Sequence, residues 1–270
     1  MDTKRLVVAI TGASGAVYAE RVLQLLVQTD IEVHLVLSNA AVLTFLKERN
    51  RKIDLDDFAL ADLIGLEADN VVYHPNTNIG ASIASGSFRT MGMMIVPCSM
   101  GTLGALAAGL SMNLVHRAAD VCLKERRKLV IVPRETPLAT THLENMHKLS
   151  TLGAVVLPAM PGFYHDPHTI EDQVDFVVSK LFDQFDLDFN LMRRWRADGK
   201  RNTPDAHHPR DDQVRAHDLR AAVCGDECVL RCGRRSAVGR SRMDTRRDGR
   251  RPKLCDGVQQ IGRASCRERV

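Results

Sequence analysis

Five short runs, apolar almost from end to end and separated by stretches of helical periodicity, leave this chain very few ways to fold. They are residues 6–10 (LVVAI), 33–37 (VHLVL), 91–96 (MGMMIV), 129–132 (LVIV) and 154–157 (AVVL). A strand with one face in water alternates apolar and polar residues, and strands without a polar face are covered on both sides. Between them, residues 16–28 carry Val17, Val22, Leu25 and Leu26 at helical spacing. Further helices are predicted from just after Ser38 to about Leu46, and over 103–108, 114–126, 141–148 and 170–185. Strand and helix in alternation, joined by right-handed crossovers, predict an α/β three-layer sandwich. Its centre is a parallel Rossmann- or flavodoxin-like sheet with helices on both faces. Neither an internal repeat nor a linker divides residues 1–195, which read as one domain.

The remainder, residues 196–270, has a different composition. It holds 19 of the 37 Lys and Arg but only 11 of the 33 Asp and Glu, and no Phe, Tyr or Trp. The chain's net charge of +4 therefore divides into +8 there and −4 over the first 195 residues. The basic character thus belongs to the tail and says little about partners of the core. An Arg-, Asp- and Gly-rich segment without aromatics cannot bury enough apolar area to offset its ordering entropy, so disorder is expected. Its last ten residues, IGRASCRERV, resemble a translated sequencing adapter, which marks the tail as at least partly artefactual. Acids mixed among the arginines, with no aromatic to stack on a base, argue against nucleic acid.

Five of the seven cysteines lie in that tail, at 224, 228, 232, 255 and 266, leaving Cys98 and Cys122 in the core. Two isolated thiols imply a reducing compartment, and the tail spacing lacks the paired knuckles of a zinc site. HLENMHKL at 142–149 places His142 and His147 five apart, where a helical zinc motif needs four, so no metal is expected. With no apolar stretch long enough to span a bilayer and no signal-peptide pattern, the expected location is the cytoplasm, away from membranes.

Four segments could carry chemistry. TGASG at 11–15 lies between the first strand and its helix, where glycine permits close backbone approach and a helix N-terminus favours a phosphate. The plainer reading is a Gly-rich turn with Ser14 as helix N-cap. PCSMGT at 97–102 repeats the arrangement after a later strand, and ASGS at 84–87 is a third small polar turn. Arg117 and Lys124, seven apart in one predicted helix, share a face that would otherwise be a solvated basic stripe. In KLVIVPRET at 128–136, an apolar strand delivers Arg134 and Glu135 side by side at its end, where open α/β sheets bind ligands. Such a pair is either a surface salt bridge or an acid placed to move a proton beside a bound anion.

With TGASG, Ser38, ASGS, PCSMGTLGALAAG, NLVHRAADVCLKERR, VPRETP, HLENMHKLS and AMPGFYHDP in that order, the chain resembles the flavin prenyltransferases over about residues 4–195. These belong with the homo-oligomeric flavin-containing cysteine decarboxylases. The resemblance implies transfer of a dimethylallyl group from dimethylallyl phosphate to N5 and C6 of reduced FMN, without a metal. It further implies delivery of prenylated FMN to a UbiD-type decarboxylase and assembly as a homododecamer. By the match, FMN is held by Gly12, Ala13, Ser14, Ser38, Ser99, Met100, Gly101, Thr102 and Arg134. The allylic phosphate is surrounded by Ser85, Arg117, Lys124, Tyr164 and Lys180, with Glu48 and Trp195 close by, and Glu135 is the proton-transfer acid. The implied catalytic set is Glu135, Ser14, Glu48, Arg117, Lys124 and Trp195.

One position departs from the pattern: Lys180 stands where the resemblance implies Arg, offering a point charge in place of a two-pronged donor. Two other readings are open. A phosphopantothenoylcysteine decarboxylase relative would share FMN but is similar around a PASANT-like turn, where this chain has PCSMGT. A protein that only binds FMN would not need Arg117, Lys124, Glu135 and Tyr164 together.

Overall fold

The computed structural model describes residues 4–192. The expected disorder of residues 196–270, the adapter-like end and Trp195 all lie outside the described residues.

Six parallel strands form one sheet: β1 (Arg5–Ile10), β2 (Glu32–Leu37), β3 (Val71–Pro75), β4 (Gly92–Cys98), β5 (Lys128–Pro133) and β6 (Val155–Val156), in the order β3-β2-β1-β4-β5-β6. Val8 is in register with Leu35 on one side and Met94 on the other, and Val130 with Val155. Four of the five apolar runs are the central strands, buried along almost their whole length, whereas the fifth, at 154–157, is the short edge strand β6, whose two residues are only partly buried. Alternate residues of the central strands feed two cores. Leu6, Val8 and Ile10 face a layer made by α1 (Ala16–Leu26), α2 (Asn39–Arg49), α3 (Leu60–Ile64) and α7 (Ile170–Asp183). Val7 and Ala9 face the opposite layer, which contains a 3-10 turn (Ser82–Ala84), α4 (Met100–Ala107), α5 (Leu114–Lys124) and α6 (Thr140–Thr151). This is the expected three-layer sandwich.

β3 and α3 were not anticipated. β3 is an edge strand, partly exposed along its length, so its sequence VVYHP shows neither a buried run nor clean alternation. α3 is a single short turn of helix. The other departures are shifts at element ends, such as α4 opening at Met100 where position 103 was expected and α2 continuing to Arg49.

The strand order fixes where a ligand can bind. From β1 the chain builds outward through β2 to β3, and from β4 it builds the other way through β5 to β6. The two connections leave neighbouring strands in opposite directions, opening a crevice above the carboxyl ends of β1 and β4.

Candidate functional site

Three turns converge on that crevice. The turn after β1 packs so tightly on the start of α2 that a Cβ on Gly12 would lie 2.3 Å from Ala40 Cβ, so only glycine fits there. The turn after β2 ends in Ser38, whose hydroxyl caps α2 by accepting from Ala41 N at 3.2 Å. The turn after β4 ends in Ser99, whose hydroxyl accepts from Thr102 N at 3.3 Å and donates to Thr102 Oγ1 at 3.1 Å. Thr11 ties two of these turns together: its hydroxyl donates to Pro97 O at 2.9 Å and accepts from Ser99 N at 2.8 Å. Thr11 lies in the TGASG motif but was not among the expected site residues. A buried threonine directly after a strand and before a glycine is the signal that could have identified it.

Ser14 does not cap α1. The N-cap position is Gly15, at φ 118°, without a side-chain cap of its own. The cap arrives from 33 residues away: Glu48, in the last turn of α2, accepts from Gly15 N at 2.9 Å and Ala16 N at 2.8 Å. Burial pushes the Glu48 carboxyl up, but the Ser14 hydroxyl, the two amides and Arg134 together outweigh it and hold the group below its ordinary value. The anion position at the α1 N-terminus is thus filled by a carboxylate of the chain itself.

Arg134 and Glu135 follow β5 and do not pair with each other. Arg134 Nε donates to Ser14 O at 3.0 Å, which holds the guanidinium over the first turn. The Glu135 carboxylate accepts from the main-chain N–H of Thr136 at 3.0 Å, its one hydrogen bond among the described residues. Of the two readings open for the pair, the salt bridge between them is therefore not formed.

The chain alone does not bring all the expected residues together. α5 starts beside the carboxyl end of β3, with Leu114 N donating to Asn76 O at 2.9 Å, and ends shortly before Lys128, where β5 begins. Lys124 is therefore at the amino edge of the sheet, about 20 Å, or one strand length, from the crevice. Arg117 lies higher on the same helix, with Nε on Ala84 O at 3.2 Å and Nη1 on Asp120 at 3.1 Å. Ser85 follows directly, and its loop is fixed to the connection between α5 and β5 through Arg127, which donates to Gly86 O and, at 2.6 Å, to Phe88 O. Tyr164 and Lys180 meet around a third centre: the Phe176 ring is 5.6 Å from the Tyr164 ring and 5.9 Å from Lys180 Nζ. Among the described residues, none of Ser85, Arg117 and Lys124 is hydrogen-bonded or ion-paired to the crevice residues.

The crevice has the donors that FMN needs. The main-chain N–H groups of Gly12, Ala13, Ser14, Met100 and Gly101 make no hydrogen bond among the described residues. A Cβ on Gly101 would meet nothing within 4 Å, so space is open beside that residue. Unpaired donors at helix starts, two hydroxyls and Arg134 suit a phosphate and a carbonyl-bearing ring. No group of three or more His, Cys, Asp or Glu suited to a metal occurs among the described residues.

The Flavoprotein family model matches residues 1–182. Among curated proteins, the flavin prenyltransferase UbiX of Alkalihalophilus pseudofirmus is 49% identical over 192 residues, covering 71% of this chain and 96% of that protein. A probable UbiX-like flavin prenyltransferase from Streptomyces sp. (strain D7) is 50% identical over 192 residues, covering 71% and 91%. Among solved structures, AnUbiX (PadA1) in complex with FMN and dimethylallyl pyrophosphate is 43% identical with a TM-score of 0.65, covering 72% of this chain and 98% of that one. A dodecameric FMN-dependent UbiX-like decarboxylase from Escherichia coli O157:H7 is 46% identical with a TM-score of 0.64, covering 71% and 99%.

Proposed function

The chain belongs to the Flavoprotein family and, within it, to the flavin prenyltransferases, and we propose that it moves a dimethylallyl group from dimethylallyl phosphate onto reduced FMN. The observation that carries this reading is the separation of Arg134 from Glu135 at the end of β5. Arg134 is engaged with the first turn, and Glu135 holds its carboxylate with a single local hydrogen bond.

The turns at Gly12–Ser14, Ser38 and Ser99–Thr102, with Arg134, would hold FMN, which in its reduced form would supply the nucleophilic ring for prenylation at N5 and C6. The chain's own residues handle the leaving group. As the allylic C–O bond breaks, its electron pair goes to the phosphate oxygen, and charge grows there. Arg117, Lys124 and Lys180 are cations that would offset that charge, and Ser85 and Tyr164 add hydroxyl donors. Glu135 passes a proton to the departing phosphate and takes one back as C6 loses its hydrogen. Glu48 and Ser14 hold the first turn in shape beneath the reacting groups. Trp195, outside the described residues, is by the resemblance the aromatic that would stabilise the allylic cation.

Because Ser85, Arg117 and Lys124 lie on the flank of the sheet, the reading requires that they complete the crevice of a second copy. The dodecameric relative supports such an assembly. So do the large apolar side chains that stand exposed here, among them Leu43, Met112, Met160 and Phe163. The product would go to a UbiD-type decarboxylase. The cytoplasm is the proposed location: Cys98 and Cys122 are free and buried, and no helix among the described residues is long and apolar enough to cross a membrane.

Purified protein incubated without oxygen with reduced FMN and dimethylallyl monophosphate should yield a flavin heavier by one prenyl unit. Bound FMN of unchanged mass would leave a binding protein, and release of carbon dioxide from a cysteine conjugate would leave a decarboxylase.

A further inference from the structure

Glu20 is a buried acid that the reaction does not use. It lies in the second turn of α1 at 3% exposure and meets two guanidinium groups: Arg49 Nε at 2.5 Å and Arg51 Nη2 at 3.1 Å. A carboxylate kept this far from water is costly unless it is paired, so the contact is not an incidental surface bridge. Its partners flank a particular place in the chain. Arg49 is the last residue of α2, directly after Glu48, and Arg51 follows Asn50, which turns the chain out of the helix at φ 52°.

α1 and α2 are therefore joined at two levels. At the upper level Glu48 receives the amides of Gly15 and Ala16. One turn lower, Glu20 holds Arg49. Ala16 and Glu20 are four residues apart on α1 and share a face, while Glu48 and Arg49 are adjacent on α2. Ala40, near the other end of α2, is pressed against Gly12, so α2 is pinned at its start as well. We infer that Glu20 is a positioning residue: by gripping Arg49 it sets the last turn of α2 at the height where the Glu48 carboxylate reaches the first turn of the crevice. This rests on the reading that Glu48 and that turn belong to the site.

A second clamp on the same helix supplies a control. Arg21 ties α1 to α7 through Asp175, at 2.6 and 2.9 Å, and among the described residues makes no hydrogen bond or ion pair to α2. It clamps α1 through a polar contact that involves neither Glu20 nor Glu48.

Amide hydrogen exchange of the full chain, read on peptides spanning residues 11–20, tests the inference without depending on turnover. Glu20→Gln should speed exchange at Gly15 and Ala16 by about tenfold or more, while exchange in β1 and β4 stays as in the parent. Arg49→Met, which removes the grip from its more exposed side, should do the same, so a folding failure of Glu20→Gln would not stop the test. Arg21→Met should leave those two amides unchanged. Equal acceleration in Arg21→Met would mean general loosening of α1 and would overturn the inference, as would unchanged exchange in Glu20→Gln and Arg49→Met. In the prenyl-transfer assay, Glu20→Gln should lower the rate by about tenfold, and its combination with Glu48→Gln should lose no more than Glu48→Gln alone, because both act through one carboxylate. Additive losses would also overturn it. A parent protein that transfers no prenyl group would sink the proposed function, leaving the exchange result to decide the positioning role.

Discussion

Glu135 has one local hydrogen bond and no cationic partner among the described residues, and it is the acid of the proposed transfer. Glu135→Gln keeps the size and the acceptor oxygen and removes the proton. We expect this variant to bind FMN as the parent does and to lose prenyl transfer by about 10²–10⁴-fold, measured as the rate of mass gain on the flavin. The contacts of Glu48 favour its ionised form. Its folded pKa lies below the ordinary 4.5, so the stabilisation it gives is complete above that value and is lost as pH falls through the lowered one. Exchange at Gly15 and Ala16, corrected for intrinsic rate, should therefore be flat above about pH 5 and should accelerate only in more acid solution. A rise beginning near neutrality would contradict the Glu48 cap. At this scale the sequence is legible where a motif is local. The adjacency of Arg134 and Glu135 at a strand end was visible, whereas the capping of Gly15 by a carboxylate 33 positions away was not, because only the packing of α2 on α1 brings the two together.

The central strands were readable because both their faces are buried. β1, β2, β4 and β5 have no wet face, and their composition says so directly. β3 is an edge whose Val72 is exposed and whose Tyr73 and His74 are partly buried, so it carries no periodic signal. Helix starts were less legible: Ser14, the N-cap read from the sequence, does not cap α1, while Ser99 caps α4 three residues before the expected start, and Ser38 caps α2. Ser38→Ala removes one such cap and leaves the Ala41 amide short of a side-chain acceptor. It should lower stability by about 1 kcal/mol, seen as a lower denaturant midpoint, and weaken FMN binding because the hydroxyl lines the crevice. An unchanged midpoint with weaker FMN binding would mean that α2 draws its stability from packing alone.

Across the whole molecule, the expected site residues fall into groups on different sides of one fold, a distribution that no spacing rule could have shown. If two copies share each site, two inactive variants should complement each other. Glu135→Gln and Arg117→Ala, each inactive alone, should regain part of the parent activity when unfolded and refolded as a mixture, since some interfaces then pair an intact Glu135 with an intact Arg117. No recovery, with mixed assemblies verified by native mass spectrometry, would place all groups within one chain. A last consequence concerns Thr11. The two halves of the sheet grow away from each other, and one hydroxyl bridges the turns where they part. That hydroxyl works as a calliper: it sets the width of the opening from beneath, so the gap that greets a flat ring is fixed before any ligand arrives. Sequence changes along either wing can then accumulate without altering the size of the slot.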